Sequence, residues 1–165
     1  LSKTDDFWIK VEVDTWTRHK ASPECGDYSS ERFALNIDDK WAIKWITETE
    51  QGKNWAKSIG FEEPIFFVPS RECRINDPRP KILFAGIEEG QTIKTNPLDI
   101  YALITASDNF DEYRLEYGLG QDPVEWKPLL QNVKEKHDPP DRIYTWDLSE
   151  IPAGTISLRI YMKRT

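Results

Sequence analysis

The sequence predicts a mainly β protein. An antiparallel β-sandwich of fibronectin or immunoglobulin type is expected over residues 81–165, after a small irregular α+β region with two short helices over residues 1–80. Three observations carry that prediction. Residues 155–162 (TISLRIYM) alternate, with Ile156, Leu158, Ile160 and Met162 on one side and Ser157, Arg159 and Tyr161 on the other. Tyr113, Leu115 and Tyr117 alternate with Arg114 and Glu116 in the same way, and strands with one dry and one wet face build antiparallel sheets. Trp41, Ala42, Trp45 and Ile46 instead recur at spacings of three and four, which is the helical rhythm.

Taken in chain order, residues 7–13 (FWIKVEV) open with a strand pattern that sets Phe7, Ile9, Val11 and Val13 on one side. Residues 15–30 are polar, rich in turn formers, and read as irregular. Asp38 and Asp39 stand where a helix N-terminus wants a side-chain acceptor. Gly52 interrupts the helical rhythm, Trp55, Ala56 and Ile59 resume it, and Gly60 stops it. Two short helices follow, or one broken near Gln51 and Gly52, with Trp41, Trp45 and Trp55 expected to pin them to the rest. Pro64, Pro69, Pro78 and Pro80 exclude a long regular element from residues 61–80, and the boundary between the halves falls at residues 76–80.

Beyond that boundary, strands are expected at residues 81–84, 91–94, 98–105, 113–117, 124–130, 143–148 and 155–162. Short strands at this spacing suit a fibronectin type III or immunoglobulin-like sandwich. Such a sandwich pairs its penultimate strand with a last one, yet the sequence stops at Thr165, directly after its strongest strand. Either residues 81–84 and 91–94 form one strand and the fold ends short, or a final strand has been removed. An open edge would be a pairing hazard.

Composition narrows the function. A hydrophobic share of 38% and a charged share of 31% suit a soluble, surface-rich protein, and a net charge of -7 argues against nucleic-acid binding. No apolar run approaches the ~18 residues of a membrane span. The chain begins at Leu1 without a methionine or a signal-peptide pattern and reads as a fragment of something longer. Its two cysteines, Cys25 and Cys73, are either unrelated buried thiols or one disulfide closing the Trp-rich first half. The disulfide would contribute about 4 kcal/mol on the chain-entropy model. His19 and His137 are too scattered to complete a metal site, so no metal or cofactor is expected.

Ser107, Asp108 and Asn109 spell one motif of the penicillin-recognising serine enzymes. No Ser-x-x-Lys accompanies it, and Lys94-Thr95-Asn96 is not Lys-Thr-Gly, so a turn is expected there. Gly-x-Ser-x-Gly, P-loop and His-Glu-x-x-His patterns do not occur. Asp108, Asp111 and Glu112 lack the spacing of a calcium loop, and no carboxylate pair stands out for glycoside hydrolysis. No catalytic residue is predicted. Trp146 shares a face with Tyr144 and Leu148 and belongs to the core, whereas Trp126, following a turn, could offer a flat platform for sugar rings.

Four stretches together carry a resemblance: VDTWTRHKASPEC (13–25), DDKWAIKWI (38–46), GKNWAKSIGFEEPIFFVPSREC (52–73) and TISLRIYM. The chain resembles the C-terminal region of a class A penicillin-binding protein that carries a fibronectin-like tail. The resemblance implies a membrane-anchored parent with a glycosyltransferase, a transpeptidase and then this tail, all outside the membrane. None of that family's catalytic residues fall on this sequence. An oxidising location implies a Cys25–Cys73 disulfide, clamping the irregular half to the sandwich. The expected function is a non-catalytic extracytoplasmic spacer or docking module in cell-wall assembly. It would meet peptidoglycan, a cell-envelope protein or the transpeptidase domain of the same chain, without nucleic acid and without a membrane span. The alternative is a carbohydrate-binding module that stacks peptidoglycan or another glycan on Trp126.

Overall fold

Alternating residues make β1 (Trp8–Asp14), which pairs antiparallel with β2 (Ser29–Leu35) from Trp8 opposite Leu35 to Asp14 opposite Ser29. The computed structural model describes residues 7–165 and forms two units, which part between Asp77 and Pro78. Strand β2 falls partly within the stretch expected to be irregular. Its polar residues Ser29, Ser30, Glu31 and Arg32 hide the strand from a pattern reading. A short 3-10 turn, Pro23–Tyr28, precedes it.

Two helices complete the first unit. In α1 (Lys40–Glu48) the Asp39 carboxylate accepts a 2.7 Å hydrogen bond from the Ala42 N–H, capping the orphan donors of the first turn. The break before α2 (Glu50–Ser58) lies at Thr49 rather than at Gln51 and Gly52. Thr49 donates its hydroxyl to the Trp45 carbonyl at 2.6 Å and accepts from the Gly52 N–H at 3.0 Å, so one side chain ends α1 and starts α2. Gly52 is a point of close approach instead. A Cβ there would lie 2.6 Å from Ile46 Cα and collide with the Trp45 carbonyl.

Leu35, Ile46 and Ala56 form the fully buried centre of this unit, with Ile37, Trp55, Phe61, Ile65 and Phe67 packed around it. Trp41 does not pin its helix: it is 83% exposed. Its register places it on the outer side of α1, while Ile46 takes the inner side. Cys25 and Cys73 form a disulfide, and both are buried. Both cysteines belong to the first unit, so the bond locks that unit on itself and does not clamp it to the sandwich. Two backbone bonds, from Lys20 N–H to the Arg71 carbonyl and from Cys73 N–H to the Lys20 carbonyl, bring the cystine's two strands together. Below it, Arg71 grips Asp77 with two parallel bonds of 2.8 Å, and the Arg74 N–H adds a third. The Arg71 hydrogen bonds, before all else, hold the Asp77 carboxyl far below the usual carboxylate range.

The second unit is a β-sandwich. Its strands are β3 (Pro80–Ala85), β4 (Leu98–Ala106), β5 (Phe110–Leu119), β6 (Lys127–Val133), β7 (His137–Trp146) and β8 (Ile156–Arg164). They form two three-stranded antiparallel sheets, ordered β3-β4-β7 and β6-β5-β8. Between the sheets lie Ile100, Ala102, Ile104, Tyr113, Leu115 and Trp146, so Trp146 is a core residue as its pattern indicated.

Three details differ from expectation. Residues 91–94 are not a strand but part of the β3–β4 connection, leaving six strands here rather than seven. β6 starts at Lys127, after the turn that holds Val124. β7 starts at His137 and runs through Pro139 and Pro140, which an edge strand tolerates because no ladder donor is needed on its outer side. Ser107 and Asp108 form a bend, and Asn109 follows in the left-handed region (φ 57°) before β5. Among the described residues, no helix is long and apolar enough to cross a membrane.

Candidate functional site: an aromatic groove in the first unit

The alternation that buries Val13 sends Trp8, Lys10 and Glu12 to the opposite face of β1. Register then sets Phe33 of β2 across from Lys10 and diagonal to Trp8. The rings of Trp8 and Phe33 lie 5.5 Å apart, tilted by 56°, and remain 51% and 54% exposed. A ring of this size left half in water on a short ribbon forgoes much of the roughly 1.5–3 kcal/mol that burial would yield. Together they form one wall of a groove of about 800 Å³.

The chain after α2 builds the other wall. Gly60, in the left-handed region (φ 96°), turns the backbone, and Ile59, Phe61, Pro64 and Phe66 follow along the groove. Charged groups rim it. Lys10 Nζ lies 5.2 Å from the Phe33 centroid and 2.7 Å from Glu31 Oε1, and the Arg32 guanidinium lies 5.9 Å from the Phe66 centroid. Glu62 also borders the groove. Flat apolar faces edged by carboxylates and a guanidinium suit contact chemistry: a sugar ring stacked on an indole, or an apolar side chain from another protein set between aromatic walls.

The disulfide residues Cys25 and Cys73 belong to the same unit and are buried, so their role is to hold it rather than to react. Trp126 lies in the second unit and is half-buried. The Arg159 guanidinium sits 4.0 Å from its ring centroid, so that face of the ring is covered. Arg159 donates to Glu116 at 2.6 Å, Arg114 pairs with the other Glu116 oxygen at 2.9 Å, and Arg114 stacks 4.5 Å from the Tyr161 centroid. The outer face of the β5–β8 pair is therefore a self-satisfied ladder of guanidinium, carboxylate and rings. Asp111 and Glu112, weighed above as calcium ligands, pair with Lys163 at 3.2 and 3.7 Å.

The sandwich also holds a buried polar pair. The Tyr113 hydroxyl lies 3.0 Å from His137 Nε2 inside the sandwich. Burial, with a smaller contribution from Glu135, pushes the Tyr113 phenol up to about 12. Both residues are enclosed by core, so the pair braces β5 against β7.

No family model matches the chain, and neither does any curated protein or solved structure.

Sequence reading missed the groove. A signal was present: Trp8 falls on the wet face of an otherwise regular amphipathic strand, where a large aromatic is out of place unless something covers it.

Proposed function

We propose that this chain is a non-catalytic, extracytoplasmic accessory region of a peptidoglycan synthase of the penicillin-binding class, docking its catalytic neighbour during cell-wall assembly. The observation that carries the reading is the half-exposed Trp8–Phe33 groove on a unit locked by a buried disulfide. A disulfide belongs to oxidising compartments, which suits a position outside the membrane. A groove on a cross-linked unit has less conformational freedom to lose on binding, which favours affinity. The second unit, read as a fibronectin type III-like sandwich, acts as the spacer. The resemblance of residues 13–25, 38–46 and 52–73 to the C-terminal region of such synthases supports the reading.

A second reading is favoured by the same groove: a glycan-binding module. Trp8 offers a stacking face, and Arg32, Glu31 and Glu62 stand at the rim to bond sugar hydroxyls. In this version the sugar lies in the groove and not on Trp126, where Arg159 already covers the ring.

Pull-down with a purified transpeptidase domain, beside co-sedimentation with purified peptidoglycan sacculi, separates the two. Docking predicts capture by the domain and its loss in Trp8→Ala and Phe33→Ala. Sedimentation with sacculi, lost in the same variants, selects the glycan reading. Binding to neither, or binding that both variants retain, refutes the groove as the functional surface.

A further inference from the structure

The aromatic groove also contains a short length of open sheet edge. Backbone bonds fix which side of β2 each residue turns its polar groups to. The Asn36 N–H donates toward β1, to the Phe7 carbonyl, at 2.8 Å. The Leu35 N–H donates the other way, to the Phe66 carbonyl at 2.9 Å, and the Leu35 carbonyl accepts from the Val68 N–H at 3.0 Å. These directions alternate along a strand. Ala34, Arg32 and Ser30 therefore bond to β1, while Phe33 and Glu31 send their N–H and C=O groups outward into the groove. Among the described residues, no strand pairs with β2 on that side.

The chain covers part of this edge itself, and with an extended backbone. Residues 66–68 run along Leu35 and form a parallel bridge from Leu35 to Phe67. Beside them Ala34 and Leu35 are buried, whereas Glu31, Arg32 and Phe33 are exposed. Continuing that ladder would take a bond from the Phe66 N–H to the Phe33 carbonyl, which is not made. One rung further, the donor for the Glu31 carbonyl would be Pro64, which has no N–H. A proline inside the unit thus leaves the slot at Glu31 and Phe33 that the unit's own chain cannot close.

We infer that the groove takes an extended polypeptide segment of the catalytic neighbour, which adds to β2 as a third strand at Glu31 and Phe33. This rests on the docking proposed above and names what docks. In strand addition the main-chain bonds supply affinity and alternate side chains supply specificity. The residue facing Phe33 turns its side chain to the Trp8–Phe33 face and is apolar. Its neighbours point to the opposite face with Arg32, where an acidic side chain makes an opposite-charge cross-strand pair. The groove, about 800 Å³, is closed on its far side by Ile59, Gly60 and Pro64, so it holds one extended segment and not the edge of a folded sheet. A sugar has no N–H and C=O at strand spacing to exchange with Phe33.

Affinity of the intact chain for a purified class A transpeptidase domain, compared between Glu31→Pro and Glu31→Ala, tests the inference. Both variants lose the ion pair to Lys10, but only proline removes the outward N–H, and it costs no bond to β1. Glu31→Pro should bind about tenfold more weakly than Glu31→Ala. A second readout needs no substitution. In residue-resolved amide exchange of the free chain, Arg32 and Ala34 should be slow and Glu31 and Phe33 fast, and the bound domain should slow Glu31 and Phe33. Equal affinity of the two variants, with Glu31 and Phe33 still exchanging fast in the complex, overturns strand addition. If Trp8→Ala then still abolishes capture, the groove remains a docking surface of another kind. No capture of the domain by the unaltered chain overturns both.

Discussion

Removing the disulfide should unfold the first unit well before the second. The bond joins residues separated by 48 positions, both with less than 3% of their surface exposed. For a loop of that length, the chain-entropy relation gives about 4 kcal/mol lost when the cross-link is absent. That is a large fraction of the stability of a small unit whose fully buried centre is Leu35, Ile46 and Ala56. For a unit of this size it corresponds to a fall in Tm on the order of 20 °C. The perturbation is Cys25→Ala/Cys73→Ala, which leaves no buried hydroxyl behind. The assay is thermal and urea unfolding followed by fluorescence, since Trp8, Trp16, Trp41, Trp45 and Trp55 report on the first unit and Trp126 and Trp146 on the second. The two transitions should separate, with only the first moving. A shift below about 1 kcal/mol, or one that appears mainly in the sandwich transition, would refute the claim that this bond organises the first unit.

Three further outcomes follow from the geometry. Gly52→Ala should destabilise the first unit by about 2 kcal/mol in urea unfolding despite alanine's better helix propensity, because its Cβ meets the Trp45 carbonyl and Ile46 Cα. The folded-state Asp77 carboxyl lies below its unfolded value, so its contribution is present above about pH 4 and lost as pH falls through the folded value. Asp77→Asn should therefore flatten the dependence of stability on pH between about pH 4 and pH 2. The Tyr113 phenol is raised instead, to about 12, so its contribution is full below the unfolded value near 10 and declines as pH rises toward 12. Tyr113→Phe should lower stability at neutral pH by removing the bond to His137, and should remove that alkaline decline in a melting series.

What the sequence disclosed depended on how local each signal was. β5 and β8 were legible because a strand with one dry face writes itself as alternation, and Trp146 was legible because it shared a face with Tyr144. β2 was hidden because its first four residues are polar and only Ala34 and Leu35 are buried. Residues 91–94 misled because a lone Ile93 among polar neighbours imitates a short strand that has no partner. The break at Thr49 was shifted onto Gly52, since glycine looks like a breaker whereas here it is needed for close packing. The groove required the register that brings Phe33 to Trp8, and no pattern within either strand encodes it. Trp126 looked available because Arg159, which covers it, comes from a strand distant in sequence.

Hydrogen exchange of the intact chain, with and without the transpeptidase domain of a class A synthase, tests the docking surface most directly. The groove account predicts slowed exchange in β1, in β2 around Phe33, and in residues 59–66, with the sandwich strands unchanged. Protection confined to the second unit, or no protection at saturating domain, would contradict it.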